Sequence, residues 1–127
     1  MDIHESGEMY LEAILVLRQK NGFVRSVDVG EYLGYSKPSV SRAMSILRTG
    51  GYVQMDKDGG LTLTDAGREI AEKIFERHTL LSQLLIALGV PEGTAIADAC
   101  KMEHAISDES FQALKRHMAE QMKDKPV

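Results

Sequence analysis

The chain has 127 residues, 43% of them hydrophobic and 27% charged, which is a globular composition with room for one ordinary domain or two very small ones. No run approaches the ~18 apolar residues of a membrane span, and the acidic start Met1-Asp2-Ile3-His4-Glu5 lacks the apolar stretch of a signal peptide, so a cytoplasmic location and no membrane partner are expected. The single cysteine, Cys100, excludes an internal disulfide framework, and the net charge of −4 excludes a uniformly basic chain.

Residues 5–19 read as a helix, with Leu11, Ile14, Leu15 and Arg18 at helical spacing and Leu17 widening the apolar side. Asn21-Gly22 ends it. Ser26 is the expected N-cap of a short helix through Leu33, with Val27, Val29, Tyr32 and Leu33 as its apolar positions. Gly34 suits a left-handed turn. Ser36 then caps a helix with Pro38 in its first turn, running to about Arg48 with Val40, Ala43, Met44 and Leu47 on one stripe. Gly50-Gly51 stops it.

Tyr52 to Met55 reads as a short strand, Asp56-Lys57-Asp58-Gly59-Gly60 as a turn, and Leu61 to Thr64 as the returning strand. Thr64 or Asp65 caps a long helix that reaches Leu88 and breaks at Gly89. Residues 94–106 and 108–122 form two more helices, the last capped by Ser107, and the tail Lys123 to Val127 is expected to fray. The expected fold is mainly α with a small β-hairpin wing: a winged helix-turn-helix domain over residues 1–70 and a helical domain over 71–127.

Charge sharpens this division. Residues 18–57 carry seven bases against three acids, while residues 58–127 carry eight bases against twelve acids. A helix, a glycine turn, a second helix and a hairpin in the only basic stretch point to double-stranded DNA. Turning Val40, Ala43, Met44 and Leu47 inward leaves Ser36, Lys37, Pro38, Ser39, Ser41 and Arg42 on the outer, N-terminal side. Hydroxyls and helix amides there suit phosphates or base edges, and Arg42 suits guanine. Ser36 also reads as a cap alone. Lys57 at the hairpin tip reads as a phosphate contact or as a solvated lysine.

The second informative segment is Cys100-Lys101-Met102-Glu103-His104, where i, i+3 and i+4 place a thiol, a carboxylate and an imidazole on one helix face. Such a set suits a divalent transition metal; the alternative is a packed cysteine beside a surface glutamate and histidine. His78 reads as a further ligand or a satisfied core histidine. Glu5, Glu8, Met9 and Glu12 share a face of the first helix. Leu80, Leu81, Leu84, Leu85 and Leu88 offer more apolar surface than so small a chain covers easily, so they are expected to form a homodimer interface with help from Phe111 and Leu114.

Four segments, in order, resemble the diphtheria toxin repressor family of iron- and manganese-dependent regulators: Gly7-Glu8-Met9-Tyr10-Leu11-Glu12; Ser36-Lys37-Pro38-Ser39-Val40-Ser41; Gly60-Leu61-Thr62-Leu63-Thr64-Asp65-Ala66-Gly67; and Cys100 through Glu109. The resemblance implies a metal-loaded dimer that binds an operator and is not an enzyme. It implies a metal site at Met9, Cys100, Glu103 and His104, with Glu12 and His78 as further ligands. Met9 and Cys100 match iron-type members, and Glu12 matches manganese-type members. Ser82 and Ile96 stand where iron-type members carry ancillary ligands. The chain ends before the SH3-like domain of longer members, as short manganese-type regulators do. Thiol and thioether favour Fe(II), with Mn(II) as the second expectation. The competing reading is a winged-helix regulator that senses an organic ligand or a protein partner, with the metal set incidental.

Overall fold

The computed structural model of the chain describes residues 5–124; the acidic start before Glu5 and the last three residues of the tail expected to fray lie outside them. Six helices and one hairpin follow in order: α1 Glu5–Asn21, α2 Ser26–Leu33, α3 Lys37–Thr49, β1 Val53–Met55, β2 Leu61–Leu63, α4 Asp65–Ala87, α5 Glu92–Ala105 and α6 Asp108–Asp124. This is the mainly helical winged helix-turn-helix architecture read from the sequence. The chain falls into two compact units, Met1–Ile74 and Phe75–Val127, with α4 continuing from the first into the second. Among the described residues no helix is long and apolar enough to cross a membrane.

In the first unit the apolar stripes close on one core. Leu11, Ile14 and Leu15 of α1 are buried with Val29 of α2, Val40, Met44 and Leu47 of α3, and Val53 and Leu61 of the hairpin. The strands pair antiparallel in the register Val53↔Leu63, Gln54↔Thr62 and Met55↔Leu61. Leu61 also donates its N–H to the Val24 carbonyl at 2.7 Å, which ties the hairpin to the segment before α2.

The α2 expectation needs two corrections. The N-cap is Arg25, not Ser26: its backbone N–H donates to Asp28 Oδ2 at 2.9 Å. Of the four expected apolar positions only Val29 is buried, and Val27 and Tyr32 are exposed. Val27, two residues before Val29, lies about 200° round the helix and faces outward; Tyr32, at i+3 from Val29, is nonetheless 54% exposed at the end of this eight-residue helix. At α3 the reading holds: Ser36 Oγ accepts from the Ser39 N–H at 3.4 Å and Gly34 sits at φ 74°.

The hairpin turn is held by Asp56, whose Oδ1 accepts the N–H groups of Asp58 at 2.9 Å and Gly60 at 2.8 Å. Thr64 fixes the entry into α4: its hydroxyl accepts from the Gly67 N–H at 3.1 Å and donates to the Gly51 carbonyl at 2.7 Å. Gly67 is required there, because a Cβ would collide with the Tyr52 carbonyl oxygen.

The second unit packs α5 and α6 with the later turns of α4. Leu81, Ala95, Ala99 and Phe111 form its apolar interior. Small alanines on α5 permit close helix approach, and Ser107 caps α6 by accepting from the Ser110 N–H at 3.1 Å.

Candidate metal centre and nucleic-acid interface

The second unit assembles the chemistry-bearing residues. His78 lies on α4, and Cys100, Glu103 and His104 lie on the last two turns of α5. His78 Nδ1 is 2.8 Å from Glu103 Oε2. Ligand atoms of His78, Cys100 and Glu103 all fall within 4.8 Å of one another. Two ligands at roughly 2.0–2.3 Å from one ion stand at most about 4.6 Å apart, so the cluster has the span of one coordination sphere. Cys100 is exposed and the His78 side chain is 24% exposed, which leaves an approach from solvent.

Glu103 decides what this cluster is suited for. Its side chain is 1% exposed, and Oε1 is buried without a hydrogen-bond partner. His104 Nε2 stands 3.3 Å from that oxygen, within ion-pair range but outside hydrogen-bond geometry. Oε1 thus has no hydrogen bond. Burying a carboxylate with one oxygen unpaired is costly. A thiol, an imidazole and a carboxylate fit a divalent transition metal by donor type as well as by distance, and the His104 imidazole adjoins the same carboxylate.

Arg77, absent from the sequence reading, completes the unit. Its guanidinium NH1 donates to the carbonyls of Glu103 at 3.1 Å and Ile106 at 2.7 Å. A buried arginine beside a histidine gives no pattern in sequence, since its partners are backbone atoms 26 and 29 residues away.

Met9 and Glu12 belong to α1 in the first unit, both partly buried. The Met9 sulfur accepts from the Tyr35 hydroxyl at 3.8 Å, and the Tyr35 ring meets Tyr10 edge-on at 5.8 Å. Burial, and then the neighbouring Tyr35, raises the Tyr10 hydroxyl above its ordinary range.

A family model described as the iron dependent repressor N-terminal DNA binding domain matches residues 2–61, and one described as the iron dependent repressor metal binding and dimerisation domain matches residues 64–126. The chain belongs to the iron-dependent repressor family. This is the family that the four sequence segments resemble, and its curated relatives are transcriptional regulators, not enzymes. The chain is similar to an uncharacterized HTH-type transcriptional regulator of Methanocaldococcus jannaschii, 37% identical over 123 residues, which cover 95% of this chain and 98% of that protein. It is also similar to the transcriptional regulator MntR of Escherichia coli O157:H7, 36% identical over 106 residues, or 84% of this chain and 68% of that one. Among solved structures, the manganese regulator SloR superposes with a TM-score of 0.80 at 25% identity; the match covers 94% of this chain but only 55% of SloR. A manganese-dependent transcriptional repressor in complex with manganese gives 0.82 at 28%, covering 89% and 52%.

The candidate nucleic-acid face lies in the first unit, within residues 2–61 that match the family's DNA binding domain. Ser36, Lys37, Pro38, Ser39, Ser41 and Arg42 are all exposed at the N-terminal part of α3, and Lys57 is exposed at the hairpin tip. Sequence reasoning missed the groove between α3 and the hairpin, about 760 Å³, lined by Ser45, Arg48, Thr49, Gln54 and Thr62 among others. Its hydroxyls and one guanidinium have phosphate-binding chemistry. Their i, i+3, i+4 spacing on α3 was legible as a polar face opposite the core stripe.

The leucine stretch divides. Leu81 is fully buried inside its own unit and Phe111 is 1% exposed, so these two serve the interior. Leu80, Leu84 and Leu85 are half-buried, and Leu88 is 72% exposed. Ile86, Ile96 and Met102 add exposed apolar surface in the same unit.

Proposed function

We propose that this chain is a metal-dependent repressor that binds a double-stranded DNA operator as a homodimer, acts in the cytoplasm and controls metal homeostasis. Fe(II) is the preferred activator in this reading and Mn(II) the alternative. The observation that carries it is the buried Glu103 carboxylate, with one oxygen on His78, the other without a hydrogen bond, and Cys100 within ligand distance. A bound divalent ion would supply the positive charge that this carboxylate lacks and a common acceptor for thiolate, imidazole and carboxylate lone pairs.

His78, Cys100, Glu103 and His104 are the ligands proposed in the second unit. Met9 and Glu12 enter the ligand set through the resemblance. The Cys100 thiol must lose its proton to bind, so affinity should rise with pH. Sulfur donors support Fe(II), whereas the manganese in the names of MntR-like relatives and the hard Glu12 carboxylate support Mn(II).

On the DNA side, Arg42 is the proposed base reader; Ser36, Lys37, Pro38, Ser39, Ser41 and Lys57 are the proposed positioning contacts. Leu80, Leu84, Leu85 and Leu88, joined by Ile86, are the proposed dimer surface; Leu81 supports it from below. A dimer would present its two recognition helices about 34–36 Å apart, one turn of duplex. The test is an anaerobic mobility shift on genomic promoter fragments with Fe(II), Mn(II) or chelator. A shift that requires metal is expected, and equal shifts with chelator would overturn the reading.

A further inference from the structure

We propose that Arg77 is a positioning residue for the metal centre: it sets where α5 presents Cys100, Glu103 and His104 to His78. The inference rests on the metal-site reading above and assigns the part of the site that no ligand supplies.

Three observations carry it. First, the guanidinium reaches the end of α5. It takes the carbonyls of Glu103 and Ile106, the residues where the helix runs out, and Ile106 is the C-cap at ψ 138°. Those carbonyls have no partner within the helix and form the negative end of its dipole, so a fixed positive fork belongs there. Second, consecutive residues of α4 hold Glu103 at both ends, Arg77 at its main-chain oxygen and His78 at its carboxylate. Third, Arg77 joins α5 to α6 as well: NH2 lies 3.6 Å from Asp108 Oδ1, and the guanidinium carbon lies 5.5 Å from the Phe111 ring centroid.

Packing alone does not account for this residue. Arg77 is 6% exposed, cannot shed its charge, and leaves its Nε without a hydrogen-bond partner. Apolar side chains of similar volume often replace a whole buried ion pair at no loss of stability, whereas removing one partner alone is costly. What an apolar side chain cannot do is fix a helix end by two directed hydrogen bonds. The need for fixing is geometric. A slip of α5 by one residue moves every ligand by about 1.5 Å and turns it by about 100°, whereas metal–ligand distances tolerate roughly 0.2 Å. Cys100, Glu103 and His104 share the two turns that the clamp holds, so all three would shift together.

The test uses the full chain and Co(II) as probe under anaerobic conditions. The d–d bands report coordination geometry, and a thiolate-to-cobalt band reports Cys100. Arg77→Met is expected to weaken Co(II) binding about tenfold or more and to shift the d–d bands. Arg77→Lys keeps the charge but not the fork and should fall between Met and wild type, while Asp108→Asn should weaken binding less. Wild-type affinity and wild-type bands in both Arg77 variants would overturn the inference, even if their melting temperatures fell. Should Arg77→Met not fold, Arg77→Lys and Asp108→Asn are judged by the same criterion. Cys100→Ala separates the two levels: loss of its charge-transfer band upholds the site, so a null result at Arg77 then counts against Arg77 alone. An unchanged spectrum in Cys100→Ala would overturn the site and, with it, the role of Arg77.

Discussion

Replacing Glu103 by glutamine keeps the shape of the side chain and removes its charge, and the structure sets the sign of the result. In the metal-free chain Glu103 Oε2 has His78 at 2.8 Å, while Oε1 is buried with no hydrogen-bond partner and His104 Nε2 stands 3.3 Å away. A glutamine can keep the bond to His78 through its oxygen, and it no longer buries a carboxylate oxygen without a hydrogen bond. Relief of one unsatisfied buried acceptor is worth about 1–3 kcal/mol, so the metal-free Glu103→Gln chain is expected to be more stable than wild type by that amount. With metal the order changes. An ion at a hundred times its Kd stabilises wild type by about 2.7 kcal/mol; a hundredfold weaker site leaves only roughly 0.4 kcal/mol. Urea unfolding followed by circular dichroism, with chelator and with Mn(II), measures both quantities. If the metal-free variant were destabilised by about 1 kcal/mol or more while Mn(II) still stabilised it fully, Glu103 would be a structural residue and not a ligand.

The other expectations follow from neighbouring residues. Cys100→Glu replaces sulfur by a hard carboxylate, so the ratio of Fe(II) to Mn(II) affinity should fall, read by competition titration; an unchanged ratio would remove Cys100 from the ligand set. Arg42→Ala should cost roughly 1–3 kcal/mol on the specific operator and relax preference at one base pair, whereas Lys57→Ala should weaken all sequences alike; anisotropy on specific and random duplexes distinguishes them. Gly67→Ala forces a Cβ into the Tyr52 carbonyl and should destabilise the first unit by about 1–3 kcal/mol, measurable by hydrogen exchange in the hairpin. Leu88→Glu, at the most exposed leucine of the stretch, should shift sedimentation toward the monomer at micromolar concentration, and an unchanged mass would move the dimer surface elsewhere.

Much of the fold was legible because local chemistry and long-range packing agree. Ser36 with Pro38, Thr64 before α4 and Ser107 before α6 act as the caps or first-turn residues their types suggest. Misreadings arose where burial is decided by neighbours the sequence does not name. Val27 and Tyr32 look like core residues, but of the expected apolar positions of α2 only Val29 is buried. Leu81 reads as one leucine among five, yet it alone of them is fully buried within its unit. In the metal centre, i, i+3, i+4 spacing on α5 was enough to group Cys100, Glu103 and His104, because a helix converts spacing into a face. His78 from α4 read from the sequence as a further ligand or a core histidine, and the resemblance implied the first; the structure brings it to 2.8 Å from Glu103. Arg77 left no trace in sequence because it acts on backbone carbonyls.

The most direct test of the account is operator binding of the full chain by fluorescence anisotropy, titrated anaerobically with Fe(II) and Mn(II) against a chelator control, in wild type and Glu103→Gln. The account requires that wild type bind its operator at least tenfold more tightly with metal than without, and that Glu103→Gln, folded and at least as stable, show no such gain. Equal affinity of wild type with and without metal, or an undiminished gain in Glu103→Gln, would contradict it.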